Sequence, residues 1–166
     1  MPNTYELVSS NILSTATASV TFSALPTTYT DLVLRASVRG SDSGYQSPFR
    51  LKINADTGNN YSRTRLYGIG SSAVSNRASN EADNIDTAFF NLSGSTSNTF
   101  SNIEVYVPNY QSTVAKAISG TGALENNSST DWIVSAHAVL YRGTSAITSL
   151  EFFTNSGTFV SGSSFY

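Results

Sequence analysis

Apolar and polar residues alternate along this chain in short runs, separated by Gly, Asn, Ser or Pro. A repeat of two is the period of a β-strand, whose successive side chains point to opposite faces of a sheet. It is cleanest over 32–39, where Leu32, Leu34, Ala36 and Val38 share one face and Val33, Arg35, Ser37 and Arg39 share the other. Phe49, Leu51 and Ile53 alternate in the same way with Arg50, Lys52 and Asn54, before Asp56-Thr57-Gly58-Asn59 turns the chain. Further strands are predicted at 20–22, 61–68, 85–92, 103–107, 114–119, 132–141, 147–153 and 158–165. Polar loops are predicted at 68–84 and 120–131, with the Ser-rich stretch 70–79 inside the first. No window sustains a 3.6-residue apolar period over three turns, so no helix beyond a turn or two is expected.

Frequent short strands with polar turns and no crossover helices predict one all-β domain over 1–166. The expected architecture is an antiparallel β-sandwich of jelly-roll type, with 1–18 as an extended N-terminal arm. Leu32, Leu34, Phe49, Leu51, Val105, Val134 and Leu140 are the expected core. The segment 132–141 is apolar on both sides: Trp132, Val134, Ala136, Ala138 and Leu140 on one, Ile133, Ser135, His137, Val139 and Tyr141 on the other. Such a strand is either central in the sandwich or covered on its second face by another subunit. In the second case Ile133, Val139 and Tyr141 form the interface of a homo-oligomer.

Composition narrows the class. Charged residues make up 12% of the 166, well below the usual quarter, so hydroxyls and amides supply most of the polar surface. With 39% apolar residues and a net charge of −2 the chain should fold rather than stay disordered. Binding to nucleic acid needs clustered cations that displace counterions from phosphates, and Arg63 with Arg65 is the nearest approach to a cluster, so no nucleic-acid partner is expected. The absence of cysteine excludes disulfides, thiolate catalysis and Cys-ligated zinc. Residues 1–10 carry no basic n-region, and no run reaches the length of a membrane span, so neither a secretory signal nor a membrane segment is expected.

The search for chemistry yields little. His137, the single histidine, falls mid-strand between Ala136 and Ala138, where a packing role is expected rather than acid–base work. Gly40-Ser41-Asp42-Ser43-Gly44 has Asp at its centre, not the nucleophilic Ser of an elbow motif, and reads as a turn. Gly120-Thr121-Gly122 lacks the third glycine of a dinucleotide fingerprint. Glu81, Asp83 and Asp86, with Asn80 and Asn84, offer calcium-type oxygens without the EF-hand pattern, and a solvated acidic loop is expected. The chain is therefore expected to be no enzyme, with no catalytic residue, cofactor or metal.

Several ordered stretches resemble a widespread group of small structural proteins of tailed bacteriophages. They are Ser19-Val20-Thr21-Phe22-Ser23-Ala24-Leu25-Pro26, then Tyr29-Thr30-Asp31-Leu32-Val33-Leu34-Arg35, Asn54-Ala55-Asp56-Thr57-Gly58-Asn59-Asn60-Tyr61-Ser62 and Leu66-Tyr67-Gly68-Ile69-Gly70-Ser71-Ser72. Glu104-Val105-Tyr106-Val107-Pro108-Asn109-Tyr110 and Ala146-Ile147-Thr148-Ser149-Leu150 complete the series. The resemblance implies a virion protein assembled in the cytoplasm of a host bacterium, with other virion proteins as partners. Two places in the particle are compatible with it. One is a capsid decoration, or cement, protein bound to the major capsid protein outside the head, as a trimer. The other is a tail-tip or tail-fibre adhesin that recognises host glycan, for which Arg65, Tyr67, Asp83 and Asn126 are the candidate residues.

Overall fold

The structure, a computed structural model, describes residues 5–127 and 131–166; the first four residues of the expected arm and 128–130 of the expected loop lie outside them. In chain order the strands are β1 (Asn11–Ile12), β2 (Ser19–Phe22), β3 (Leu32–Val38), β4 (Gln46–Ile53), β5 (Tyr61–Ile69) and β6 (Ser72–Glu81). They continue with β7 (Ile85–Asn91), β8 (Ser101–Val107), β9 (Lys116–Leu124), β10 (Ile133–Tyr141), β11 (Leu150–Phe153) and β12 (Ser164–Phe165). An eight-stranded sheet runs β1-β12-β3-β8-β9-β10-β5-β6, and a four-stranded sheet runs β2-β11-β4-β7. Every strand pair is antiparallel, and no helix occurs among the described residues. The sandwich is jelly-roll-like: β2-β11-β4-β7 faces a second set β3-β10-β5-β6, between whose first two members the β8–β9 hairpin is inserted. Two strands are the smallest insertion that preserves the antiparallel alternation.

The alternation seen in the sequence is realised as burial. In β4, Phe49, Leu51 and Ile53 are completely buried, and Leu34, Ala36 and Val38 of β3 meet them from the other sheet, within a core that includes Phe90, Phe152, Phe159 and Phe165. Phe49 stacks on Phe152 with ring centroids 5.3 Å apart, and Phe159 meets Phe165 edge-on at 5.2 Å. Strand β10 reverses the expected core assignment. Ile133, Val139 and Tyr141 lie inside, each at most 4% exposed, whereas Val134 is 66% and Leu140 38% exposed. The residues expected at a subunit interface are thus core, and two of the residues expected in the core face outward. Leu32 is only partly buried, at the rim of the core.

Other boundaries move as well. The Ser-rich stretch expected as a loop is β6, paired along its length with β5. Strand β9 continues through Gly120 and Gly122 into the segment expected as loop. The long strand expected at 158–165 shrinks to β12 and an isolated bridge at Phe159.

The eight-stranded sheet curls around β7, the edge strand of the smaller sheet, and all seven residues of β7 are buried. Ile85, Ala88 and Phe90 enter the main core; Phe89 faces the other way, into a second cluster with Leu124 and Ile133 that Tyr67 and Ile69 pack against. The close approach depends on glycine. A Cβ on Gly120 would stand 2.0 Å from the Thr87 carbonyl oxygen, and one on Gly122 would stand 3.0 Å from the Phe89 carbonyl oxygen.

Candidate functional site

Two places carry side chains that the fold leaves without a full set of partners. The first is the outer face of the eight-stranded sheet. Period-two alternation sends Ala117, Ser119, Thr121 and Ala123 of β9 outward, together with Val134, Ala136, Ala138 and Leu140 of β10 and Thr64 and Leu66 of β5. Register places Ala136 between Thr121 and Leu66, Val134 between Ala123 and Gly68, and Leu140 opposite Ala117. The result is an apolar strip in which Leu66, 57% exposed, and Val134, 66% exposed, are the most exposed large side chains. A shallow groove of about 640 Å³ runs along it, with Arg35 and Glu104, paired at 3.2 Å, at one side. Contiguous apolar surface of this kind marks contact surfaces more often than solvent-facing ones.

The second place is an arginine cluster between the β5–β6 hairpin and β7, the arginine cleft. The β4–β7 register sets Asp86 opposite Arg50, and Arg63 and Arg65, two apart on β5, reach the same carboxylate from the other sheet. Asp86 Oδ2 lies 3.0 Å from Arg63 and 3.3 Å from Arg65; its Oδ1 lies 3.5 Å from Arg50 Nε. Asn76 Oδ1 on β6 accepts from Arg63 Nη1 and from Arg65 Nε, each at 2.9 Å. The Arg65 guanidinium stands 4.8 Å from the Phe89 ring centroid and 5.3 Å from that of Tyr67. Desolvation, and then the charge of Arg63, lowers the pKa of Arg65.

His137 is the neighbour of Arg65 across the β10–β5 ladder and is buried. Its Nδ1 lies 3.2 Å from the Asp86 carbonyl oxygen, which can only accept, so Nδ1 carries the proton and the other ring nitrogen has no partner. Burial, reinforced by the guanidiniums of Arg65 and Arg63, holds the imidazole pKa down at about 4 against the pull of the Asp86 carbonyl. The ring packs edge-on against Phe89 at 5.6 Å. It therefore sits in the packing position expected for it.

The four candidate glycan residues do not form one site. Arg65 and Tyr67 meet in the cleft. Asp83 is paired with Lys52 at 2.8 Å, and Asn126 is buried elsewhere, its side-chain amide donating to the Asp131 carbonyl at 2.6 Å and to Ser95 at 3.2 Å. Glu81, Asp83 and Asp86 do not gather either: Glu81 is exposed, and the other two are spent on Lys52 and the arginines. No group of three or more His, Cys, Asp or Glu placed to hold a metal occurs among the described residues.

Sequence reasoning missed the convergence of Arg50 and Asp86 on the Arg63–Arg65 pair. The available signals were the shared face of Arg63 and Arg65 and the lone carboxylate inside the apolar run 85–90. It also placed Arg39 on the face of 32–39 opposite the expected core residues Leu32 and Leu34. Arg39 is buried, and its guanidinium donates to the carbonyls of Ser93, Ser95, Thr96 and Thr99 and to the Thr99 hydroxyl at 2.8–3.1 Å, organising that loop. Lys116 is likewise buried and donates to the Ser145 carbonyl at 2.6 Å. Compared with known proteins, the chain matches no family model, no curated protein and no solved structure.

Proposed function

We propose that this chain is a structural protein of a bacteriophage virion that decorates the outside of the head shell, seated through the outer face of its eight-stranded sheet. The observation that carries the reading is the apolar strip formed by Leu66, Val134, Ala136 and Leu140 with the alanines around them. The small side chains among them let another surface approach the sheet closely, and apolar contact yields about 25 cal/mol per Å² before the costs of association. The resemblance of the ordered motifs to virion proteins supports a place in the particle, though not the head over the tail. Trimer formation at threefold positions of the shell belongs to the proposal and rests on closed symmetry as the usual way to assemble such subunits.

The test is co-sedimentation of the purified chain with emptied head shells that lack it. The unaltered protein should pellet with the shells at close to one copy per shell subunit. Val134→Glu and Ala136→Glu, which alter only outward-facing positions, should fold normally and remain in the supernatant. Binding that survives both substitutions, or a copy number of only a few per particle, would overturn the reading and move the protein to the tail.

A further inference from the structure

We propose that the arginine cluster between β5 and β7 is an oxyanion site, in which one carboxylate or phosphate group is held by Arg50, Arg63 and Arg65. The site is separate from the outer sheet face; anion binding does not depend on the head-shell reading, and only the arm of the test that identifies the source of the group rests on it.

The first argument is charge. Three guanidiniums converge on the single carboxylate of Asp86, and the adjacent His137 is neutral, so two positive charges stand unbalanced within the cluster. Lys52, the next cation along the same face of β4, is already matched by Asp83. Unbalanced charge removed from water is strongly unfavourable unless an opposite charge or, as at Arg39, a full set of acceptors completes it. The cations nevertheless stay in contact with solvent: side-chain exposure is 13% for Arg63, 15% for Arg65 and 29% for Arg50.

The second argument is hydrogen bonding. The Nε atoms of Arg50 and Arg63 are buried and donate to nothing; at 3.5 Å, Arg50 Nε attracts the Asp86 carboxylate without forming a hydrogen bond. Arg39 shows how this fold treats an arginine of purely structural use, with five acceptors closed around its terminal nitrogens and no unpartnered buried atom. The trio in the cleft is not closed in that way. Planar guanidinium forks match the paired oxygens of carboxylate and phosphate, which sets the class of ligand.

The group can arrive as a free oxyanion or on the acidic side chain of a neighbouring virion protein. Thermal unfolding of the full chain, followed at constant ionic strength, tests the site with sodium phosphate and sodium acetate against sodium chloride. Phosphate or acetate should raise the unfolding midpoint to a plateau, and chloride should not. Arg63→Gln should abolish the rise. Asp86→Asn, which removes the competing carboxylate, should start from a lower midpoint and show tighter anion binding and a larger rise than the unaltered chain. An equal rise in chloride, or a rise retained in Arg63→Gln, overturns the proposal. If Arg63→Gln does not fold, Asp86→Asn decides alone, because a purely structural cluster would lose stability without any gain in anion response. Where the rise is seen, phosphate that also displaces the chain from head shells assigns the group to a neighbour's side chain. Displacement that does not occur assigns it to a free anion.

Discussion

His137 couples this fold to pH. Its imidazole has an ordinary pKa of 6.5 in the unfolded chain and about 4 in the folded one, so between those values the unfolded state takes up a proton that the folded state refuses. The contribution is complete above pH 6.5, falls as the pH drops toward 4, and amounts to a loss on the order of 3 kcal/mol across that window. Urea midpoints measured between pH 7 and pH 4.5 should therefore fall less for His137→Gln than for the unaltered chain. An identical fall in both proteins would show that carboxylates alone set the acid limit. The residue's role in packing was legible from its place between two alanines. Its partner was not, because the Asp86 carbonyl belongs to a strand of the opposite sheet, 51 positions away.

At the scale of elements, periodicity groups residues by face but does not say which face is inward. In β10 both sets were apolar enough to be core, and the choice was made by β7, which covers Ile133, His137 and their neighbours on one side only. The assignment can be checked with two truncations. Ile133→Ala should cost about 2–5 kcal/mol as a buried large-to-small change, whereas Val134→Ala should stay within about 0.5 kcal/mol in chemical denaturation. Comparable losses at the two positions would restore the opposite orientation. The missed strand β6 has another cause: Ser72, Ser75, Arg77 and Ser79 are exposed, so this element owes its conformation to pairing with β5 rather than to burial of its own side chains. Gly120 and Gly122 resembled loop glycines for an equally physical reason. They are small because β7 presses on them, a demand that leaves no trace in local sequence.

For the whole molecule, short strands and turn residues made the sandwich legible, while loop lengths gave no means of placing the β8–β9 hairpin inside the larger sheet. The arginine cleft was hidden for the same reason, since its side chains come from β4, β5 and β7 and meet only when both sheets are assembled. The expected trimer loses the support of Ile133, Val139 and Tyr141, which the subunit covers itself, and rests on closed symmetry alone, because the outward strip is assigned to the shell. Light scattering at micromolar concentration should report the mass of three chains for the unaltered protein and for Val134→Glu alike. A monomer that also ignores head shells would defeat the decoration reading.

The pairing of β2 with β11 and of β1 with β12 has a consequence for how the chain is made. Strands β1 and β2 find their hydrogen-bonding partners only in β12 and β11, so the edge of the smaller sheet cannot close until Phe153 has been made, nor that of the larger sheet until Phe165 has been made. Until then the apolar faces of β3 and β4 are held by an unfinished sandwich, and the pairing must be found between positions as far apart as Asn11 and Phe165, which places folding in the slow, millisecond-to-second regime of all-β domains.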